Sequence, residues 1–270
     1  MDIREEINTL YSRAKKLEEV EKEIAFIEKN FSVWDINKNK LVPVKLYEYE
    51  KEFLVHIIEN NEPFISRKTR QCGITTLYAM HVAYTIKSYL RSNNMRKPFC
   101  CYISRTFDEC KIFCNKVKDF LEKIGFEGVN IKDYVKLASS YSYKGITIGC
   151  AFDEIFVDEF EFFDNFEDIK KVLYIHIANR TKIIATSGIN KNKTIQVSYP
   201  IKQEIHWWQI PRFNKFLTWV KEIKETLIDE DGSIVYNEER FNHLIECGYK
   251  PTSPEYERLR EIGLSKEELF

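Results

Sequence analysis

The chain has 270 residues, of which 44% are hydrophobic and 14% aromatic, a composition that excludes an intrinsically disordered protein and allows a substantial core. Its 41 Lys and Arg residues nearly balance 42 Asp and Glu residues, so no overall field draws it to nucleic acid, and any DNA contact would need a local patch. No apolar run approaches the roughly 18 residues of a membrane span, and we expect a cytosolic protein without membrane contact.

The first 30 residues carry a helical pattern. Apolar residues recur at spacings of three and four from Ile3 to Ile27, among many Lys and Glu, which predicts a long amphipathic helix. Two roles fit this helix: packing on its own domain, or docking to another subunit. The segment 31–45 contains Asn and Pro and predicts a loop, and a second helix is predicted over 47–60.

Predicted strands and helices alternate along the rest of the chain. Strands are predicted over 63–66, 98–104, 144–149, 154–157 and 182–187, and helical periodicity covers 77–89 and 107–124. This alternation predicts an α/β fold with a mainly parallel sheet flanked by helices. Beyond Pro211, charged helix-forming sequence predicts a small C-terminal helical lid.

The segment 68–76 has the position of a phosphate loop, between a predicted strand and a helix. In such a loop backbone N–H groups surround the phosphates, a lysine neutralises charge and a Ser or Thr reaches magnesium. Gly73 and Thr75 match the second Gly and the Ser/Thr of G-x-x-x-x-G-K-[ST], but Ile74 stands at the lysine position. Because the loop curls around the phosphates, we expect Lys68 at its start to supply the ammonium; a simple polar turn is the alternative.

A pair of acids, Asp158 and Glu159, ends the apolar strand 155–157. In P-loop ATPases the Asp at such a strand end holds magnesium and the Glu polarises the attacking water. A solvated strand end is the alternative. Loop and acid pair together predict a P-loop ATPase that uses ATP and Mg²⁺, with Thr75 and Asp158 at the metal and Glu159 as the catalytic acid-base residue.

These segments resemble the ATPase domain of the large terminase subunit, the motor that packages DNA in tailed phages and related viruses. The stretch 68–75 resembles the deviant Walker A loop of that family, in which the lysine has moved to the start of the loop, and 155–163 resembles its Walker B segment. The resemblance implies a P-loop NTPase fold of the RecA/ASCE-like type.

The resemblance also implies roles for further residues. The segment 46–51 is similar to the adenine-binding segment, with Tyr49 placed to stack on the base and Glu50 where the family often has Gln, and 185–190 is similar to the coupling motif that senses the γ-phosphate. Arg70 matches a loop arginine that stabilises transition-state charge, and Arg105 is a weaker candidate for an arginine acting in a neighbouring subunit. The implied nucleotide-binding residues are Lys68, Thr69, Arg70, Gln71, Cys72, Gly73, Ile74, Thr75, Thr76, Tyr49 and Glu50; the catalytic ones are Glu159, Arg70 and Lys68; and the coupling ones are Thr186, Ser187, Gly188 and Asn190.

The organisation expected from this resemblance is an N-terminal helix over 1–30, an ATPase core over 31–210 and a lid or linker subdomain over 211–270, without the nuclease domain that large terminases usually carry. The implied function is ATP hydrolysis that drives viral double-stranded DNA into a procapsid in the host cytoplasm. Implied partners are the DNA, the portal protein, the small terminase subunit and further copies of the chain in a ring, with a monomer as the alternative in isolation. Another DNA-stimulated, helicase-like ATPase and a non-hydrolysing P-loop scaffold, suggested by Ile74, are the alternative functions.

Overall fold

The computed structural model describes residues 3–35, 39–59, 63–68, 72–92, 96–142, 150–160, 163, 169, 171–173, 176, 181–188 and 201–205. The chain divides into two compact units, the first comprising Met1–Arg67, Gly73–Gly188 and Gln196–Glu204, and the second Lys68–Cys72, Ile189–Ile195 and Ile205–Phe270. The predicted strand over 144–149 and the predicted lid over 211–270 lie outside the described residues. The predicted boundaries of core and lid therefore stay predictions.

The helices are α1 (Ile3–Asn30), α2 (Glu48–Glu59), α3 (Ile74–Arg91) and α4 (Phe107–Lys123). The strands are β1 (Ser32–Asp35), β2 (Lys40–Pro43), β3 (Phe64–Lys68), β4 (Cys100–Ser104), β5 (Val135–Ser139), β6 (Glu154–Val157), β7 (Lys182–Gly188) and β8 (Ile201–Ile205). None of the described helices is long and apolar enough to cross a bilayer.

A six-stranded sheet with the strand order β5-β4-β6-β7-β3-β8 forms the centre of the fold. β4 runs parallel to β5 and to β6, and β6 runs parallel to β7. All residues of β4 and β6 are buried, as expected of parallel strands covered by helices. The predicted α/β fold with a mainly parallel sheet flanked by helices is confirmed.

Aromatic side chains connect α3 and α4 to the sheet. Tyr78 of α3 stacks on Phe156 of β6 with ring centroids 4.1 Å apart, and Phe113 of α4 stacks on Tyr102 of β4 at 3.9 Å. A capping box at Thr106, in which the hydroxyl accepts the N–H of Glu109, starts α4 two residues after β4 ends. The helices are thus held against the strands whose ends carry the polar residues discussed below.

The N-terminal helix α1 extends over the predicted residues and contacts α2 and α3. Val20, Glu23 and Ile27 in its C-terminal half are buried, whereas most side chains between Tyr11 and Glu19 are exposed, and Lys16 Nζ donates to the Glu59 carbonyl of α2 at 2.8 Å. The helix therefore packs on its own domain through these residues.

The loop predicted over 31–45 is wrong, because β1 and β2 form an antiparallel hairpin there. Val33 lies opposite Val42, and Trp34 lies opposite Leu41. Asn39, one of the residues that suggested a loop, precedes β2 and has a left-handed φ of 48°. Strands β5 and β8 were not predicted either. Each is a five-residue strand stabilised by neighbours distant in sequence rather than by a strong local pattern.

Candidate active site

Asp158 lies at the carboxyl edge of the sheet, one residue beyond β6. The parallel registers pair Val157 with Ile103 of β4 and with Ala185 of β7, so the next residues, Asp158 and Thr186, come level at the strand ends. The Asp158 N–H extends the ladder by donating to the Ile103 carbonyl at 2.8 Å. Polar side chains from neighbouring strands therefore meet around this carboxylate, as ligand-binding residues do in open α/β sheets.

Three hydroxyl groups donate hydrogen bonds to the Asp158 carboxylate. Thr75 Oγ1 and Tyr102 Oη bind Oδ2 at 2.7 and 2.8 Å, and Thr186 Oγ1 binds Oδ1 at 2.5 Å. Asp158 is only 4% exposed, and such bonds offset the desolvation of a buried carboxylate. Burial, with a further contribution from Asp158, raises the pKa of Tyr102 well above its ordinary value, so the phenol stays protonated and remains a donor.

The start of α3 reaches Asp158 across an intervening strand. β7 lies between β3 and β6, which places those two strands roughly 10 Å apart at the usual spacing. Thr75, the second residue of α3, nevertheless contacts Asp158 directly, so the start of α3 lies against the end of β6. The predicted role of Thr75 and Asp158 at a metal stays a prediction.

Gly73 makes the turn into α3. It has φ 93°, a left-handed conformation that glycine adopts without strain, and its carbonyl accepts the N–H groups of Thr76 and Leu77 at 2.9 Å. A Cβ at this position would lie 2.8 Å from Glu50 Oε1. The backbone conformation therefore calls for glycine, and a larger residue would also displace the end of the Glu50 side chain.

The other predicted loop residues are placed only in part. Lys68 is the last residue of β3 and is buried, and Cys72 is also buried. Ile74, at the position where the motif usually has lysine, is 1% exposed and forms part of the core. Thr69, Arg70 and Gln71 lie outside the described residues, so the phosphate-binding roles of this stretch, including those of Lys68 and Arg70, stay predictions.

Thr186 contacts both members of the acid pair. Besides donating to Asp158, its Oγ1 accepts the N–H of Glu159 at 3.1 Å. Glu159 has a left-handed φ of 53°, an uncommon conformation for a non-glycine residue that recurs at functional sites. Ser187 is buried and Gly188 ends β7, whereas Asn190 lies outside the described residues. The Thr186 hydroxyl thus joins the predicted coupling segment to both residues of the acid pair.

The predicted adenine-binding segment forms the start of α2. Tyr49 is only 4% exposed, while the ring of Tyr47, 42% exposed, stacks beside it at 5.7 Å. The Tyr49 carbonyl accepts from Gln203 Nε2 at 2.6 Å, and Gln203 Oε1 accepts from Ser66 Oγ at 2.9 Å. The segment is therefore fixed to β3 and β8. Base stacking by Tyr49 stays a prediction, and Tyr47 is the more accessible ring.

Glu50 lies between the start of α2 and Gly73. Its Oε2 accepts the N–H of Tyr47 at 2.9 Å, which satisfies a donor at the helix N-terminus. Burial raises the pKa of Glu50 to about 7, although the Tyr47 N–H acts in the opposite direction. A carboxyl that titrates near neutral pH therefore faces the glycine of the predicted loop.

The donor set around Asp158 fits magnesium better than a softer metal. Mg²⁺ prefers oxygen ligands and in nucleotide sites uses one or two carboxylates together with phosphate oxygens and water. Thr75 and Asp158 offer a hydroxyl and a carboxylate at one point. Within the part of the chain that the structure describes, no group of three or more His, Cys, Asp or Glu side chains could hold a metal by itself. An all-protein metal cage is therefore absent from that part.

Sequence reasoning did not identify the contacts that Tyr102 and Lys116 make with residues of the predicted site. Tyr102 lies within a buried strand, where a Tyr is usually a core residue, and only its reach to Asp158 reveals its role. Lys116 lies in the middle of α4 and donates to Thr76 Oγ1 at 2.9 Å. Arg105 follows β4, is exposed, and pairs with Glu109 at 3.4 Å; its action on a neighbouring subunit stays a prediction.

Comparisons with known proteins give similarity at the level of structure. No protein-family model and no curated protein matches the chain. The large terminase ATPase domain of Thermus phage P74-26 is similar with a TM-score of 0.47 and 12% identity, over 71% of this chain and 92% of that one; a mutant of the same domain gives the same TM-score and identity. The large terminase of bacteriophage HK97 has a TM-score of 0.44 and 18% identity, over 62% of this chain and 37% of that one. The chain is thus similar in structure to ATPase domains of phage large terminases.

Proposed function

We propose that this chain is a P-loop ATPase that hydrolyses ATP with magnesium at the carboxyl edge of the sheet. The observation that carries the proposal is the 2.7 Å contact between Thr75 Oγ1 and Asp158 Oδ2. A hydroxyl at the start of the helix after a glycine turn and a carboxylate at the end of a buried strand are the two protein ligands that a P-loop site gives to magnesium. The two residues are 83 positions apart, so their meeting depends on the fold.

Each side chain of the site has a role in this proposal. Magnesium, when bound, neutralises phosphate charge. Thr75 and Asp158 would hold it, and Tyr102 and Thr186 orient the Asp158 carboxylate through their hydroxyl groups. The N–H groups at the start of α3 favour an anion there, because a helix N-terminus carries partial positive charge.

Glu159 is the proposed general base, which takes a proton from the attacking water. It follows Asp158 directly, and the bond from its N–H to Thr186 fixes its left-handed backbone at the strand end. Lys68 and Arg70 are the proposed cations of the loop, and Tyr49 and Glu50 the proposed residues at the base. Thr186, Ser187, Gly188 and Asn190 are proposed to couple the nucleotide state to the rest of the chain.

The proposed work of the ATPase is translocation of viral double-stranded DNA into a procapsid in the host cytoplasm. Support comes from the combined sequence resemblance of 46–51, 68–75, 155–163 and 185–190 to terminase segments. The proposed partners are DNA, a portal protein, a small terminase subunit and further copies of the chain. The exposed Arg105 is compatible with an arginine that serves a neighbouring site in a ring.

Substitution of Glu159 by Gln tests the enzymatic assignment. We expect Glu159→Gln to keep ATP binding and to lose turnover by about 100-fold or more, because the amide cannot accept the proton of the attacking water. Phosphate release measures turnover, and titration with a non-hydrolysable ATP analogue measures binding. Glu127→Gln, at an exposed glutamate, is the matched control.

Three outcomes would contradict parts of the proposal. Turnover in Glu159→Gln equal to that of the unchanged protein would remove Glu159 from the chemistry. ATP binding by the unchanged protein without turnover, with and without DNA and portal-bearing procapsids, would favour the non-hydrolysing scaffold. Turnover stimulated by DNA, but no DNA uptake by procapsids, would favour a helicase-like ATPase.

A further inference from the structure

A lysine from α4 reaches the first turn of α3. Lys116 Nζ donates to Thr76 Oγ1 at 2.9 Å, and Thr76 directly follows the Thr75 that binds Asp158. Lys116 is partly buried on α4, which packs along α3. The ammonium therefore lies at the hydroxyl of Thr76, in the first turn of the helix.

The sequence of the loop explains why a cation at this place is significant. A phosphate loop ordinarily has its lysine directly after the second glycine, and here Ile74 occupies that position and is buried. The first turn of α3, from Ile74 to Leu77, contains no charged side chain. The N–H groups there can bind phosphate, but a compact positive charge must come from another element.

Other lysines of α4 are placed differently. Lys111 pairs with Asp108 at 2.8 Å and Lys118 with Glu122 at 3.5 Å, and both lysines are exposed on the surface of their own helix. Lys116 extends towards α3 and donates to a hydroxyl of the predicted loop. A hydrogen bond that only connects the two helices would need an uncharged donor to Thr76, whereas a phosphate site needs the positive charge of the lysine.

We propose that Lys116 is a phosphate-binding residue of the nucleotide site, acting with Thr76 in place of the lysine that the loop lacks at Ile74. The inference rests on the proposed function and specifies the site as one for a nucleoside di- or triphosphate whose phosphates meet an ammonium from α4. Lys68 is then a second cation of the site and not its sole one.

The test separates the charge of Lys116 from its role as a hydrogen-bond donor. Lys116→Gln keeps a donor for Thr76 and removes the charge, Lys116→Arg keeps both, and Lys118→Gln is the matched control on the same helix. Each variant is titrated with Mg-ADP, with a non-hydrolysable Mg-ATP analogue and with adenosine. We expect Lys116→Gln to weaken both phosphorylated ligands about 10- to 100-fold, the size of a charged hydrogen bond, without changing adenosine binding. Lys116→Arg should recover most of the loss, and Lys118→Gln should bind like the unchanged protein.

The outcomes distinguish this inference from the proposed function. Suppose that Lys116→Gln binds Mg-ADP as the unchanged protein does, while Thr75→Ala loses magnesium-dependent binding. Lys116 then only connects the two helices, and the inference is wrong although the ATPase proposal stands. Equal weakening of adenosine and Mg-ADP would also overturn it, because a phosphate contact cannot act on a ligand without phosphate. If the unchanged protein binds none of the nucleotides, the proposed function itself is wrong.

Discussion

At the scale of single residues, Glu50 is the unusual group of the site. Its carboxyl is half-buried between the start of α2 and Gly73, with one oxygen on the Tyr47 N–H and the other 2.8 Å from the position of a Gly73 Cβ. An ionised carboxylate there would repel the phosphates of a nucleotide on the same loop. Because burial raises its pKa to about 7, the group is neutral in a large part of the molecules at physiological pH.

The raised pKa of Glu50 predicts a pH dependence of stability. The unfolded chain releases this proton near pH 4.5, whereas the folded protein holds it until about pH 7. The folded state therefore binds more protons within that window, and the free energy of unfolding falls as pH rises through it, by a total on the order of 3 kcal/mol. We expect Glu50→Gln to remove this fall, so that its stability relative to the unchanged protein increases from pH 5 to pH 8.

Urea unfolding at several pH values between 4.5 and 8 measures this effect. Glu48→Gln is the control, since Glu48 lies at the same helix start but is exposed. Parallel pH profiles for Glu50→Gln and the unchanged protein would show that Glu50 titrates normally and would refute the prediction.

At the scale of elements, a buried charged network ties α1 to the strand that carries Asp158. His81 of α3 contacts Glu23 of α1 through Nδ1 at 2.8 Å and Glu154 of β6 through Nε2 at 3.3 Å, and Tyr78 donates to Glu154 at 3.3 Å. Burial lowers the pKa of His81, but the two carboxylates outweigh it and raise the pKa to about 10. The imidazolium is therefore held between two acids on different elements.

Removal of one charge from this network should lower the stability of the fold. We expect Glu23→Gln to lower the free energy of unfolding at pH 7 by about 3 kcal/mol, because one partner of a buried ion pair is lost while the other stays buried. The contribution of His81 is complete below its unfolded pKa of about 6.5 and is lost as pH rises through about 10. Urea unfolding at pH 7 and pH 10 checks both statements, with the exposed Glu19→Gln as control; equal stability of Glu23→Gln and Glu19→Gln at pH 7 would contradict them.

At the scale of the whole molecule, the site is a property of the sheet. The side chains around Asp158 come from β4, from β7 and from the helix after β3, so a ligand there would bridge strands across the width of the sheet. A ligand that binds only the folded protein adds its binding free energy to the stability of the fold. Thermal unfolding thus reports on the site independently of catalysis.

We expect a non-hydrolysable Mg-ATP analogue at 100 times its Kd to add about 2.7 kcal/mol to the free energy of unfolding, and to raise Tm by about 5–10 °C. Thr75→Ala should lose the part of the shift that depends on magnesium, because it removes one of the two proposed protein ligands. Scanning calorimetry with Mg²⁺ or with a chelator measures both. Thr85→Ala, ten residues further along α3, is the control. A Tm that does not respond to the analogue in the unchanged protein would exclude a nucleotide site.

Much of the architecture followed from local patterns. The three- and four-residue spacing from Ile3 to Ile27 predicted α1, and apolar segments alternating with helical ones predicted a mainly parallel sheet, because side-chain burial imposes these periods directly on the sequence. The same patterns failed at the β1–β2 hairpin, where Asn residues suggested a loop, and at β5 and β8. Those strands depend on pairing with partners distant in the chain, which a local window does not contain.

The sequence by itself determined which residue types lie at the strand end and the helix start: Asp158 and Glu159 after an apolar strand, Gly73 and Thr75 before a helix. Only the tertiary structure decided how they meet. The hydrogen bonds that converge on Asp158 span 28, 56 and 83 positions, and they form because β6 lies between β4 and β7 and the start of α3 lies against the end of β6. Strand order is set by packing of the whole sheet, so no local pattern could place Tyr102 on Asp158 or Lys116 on Thr76.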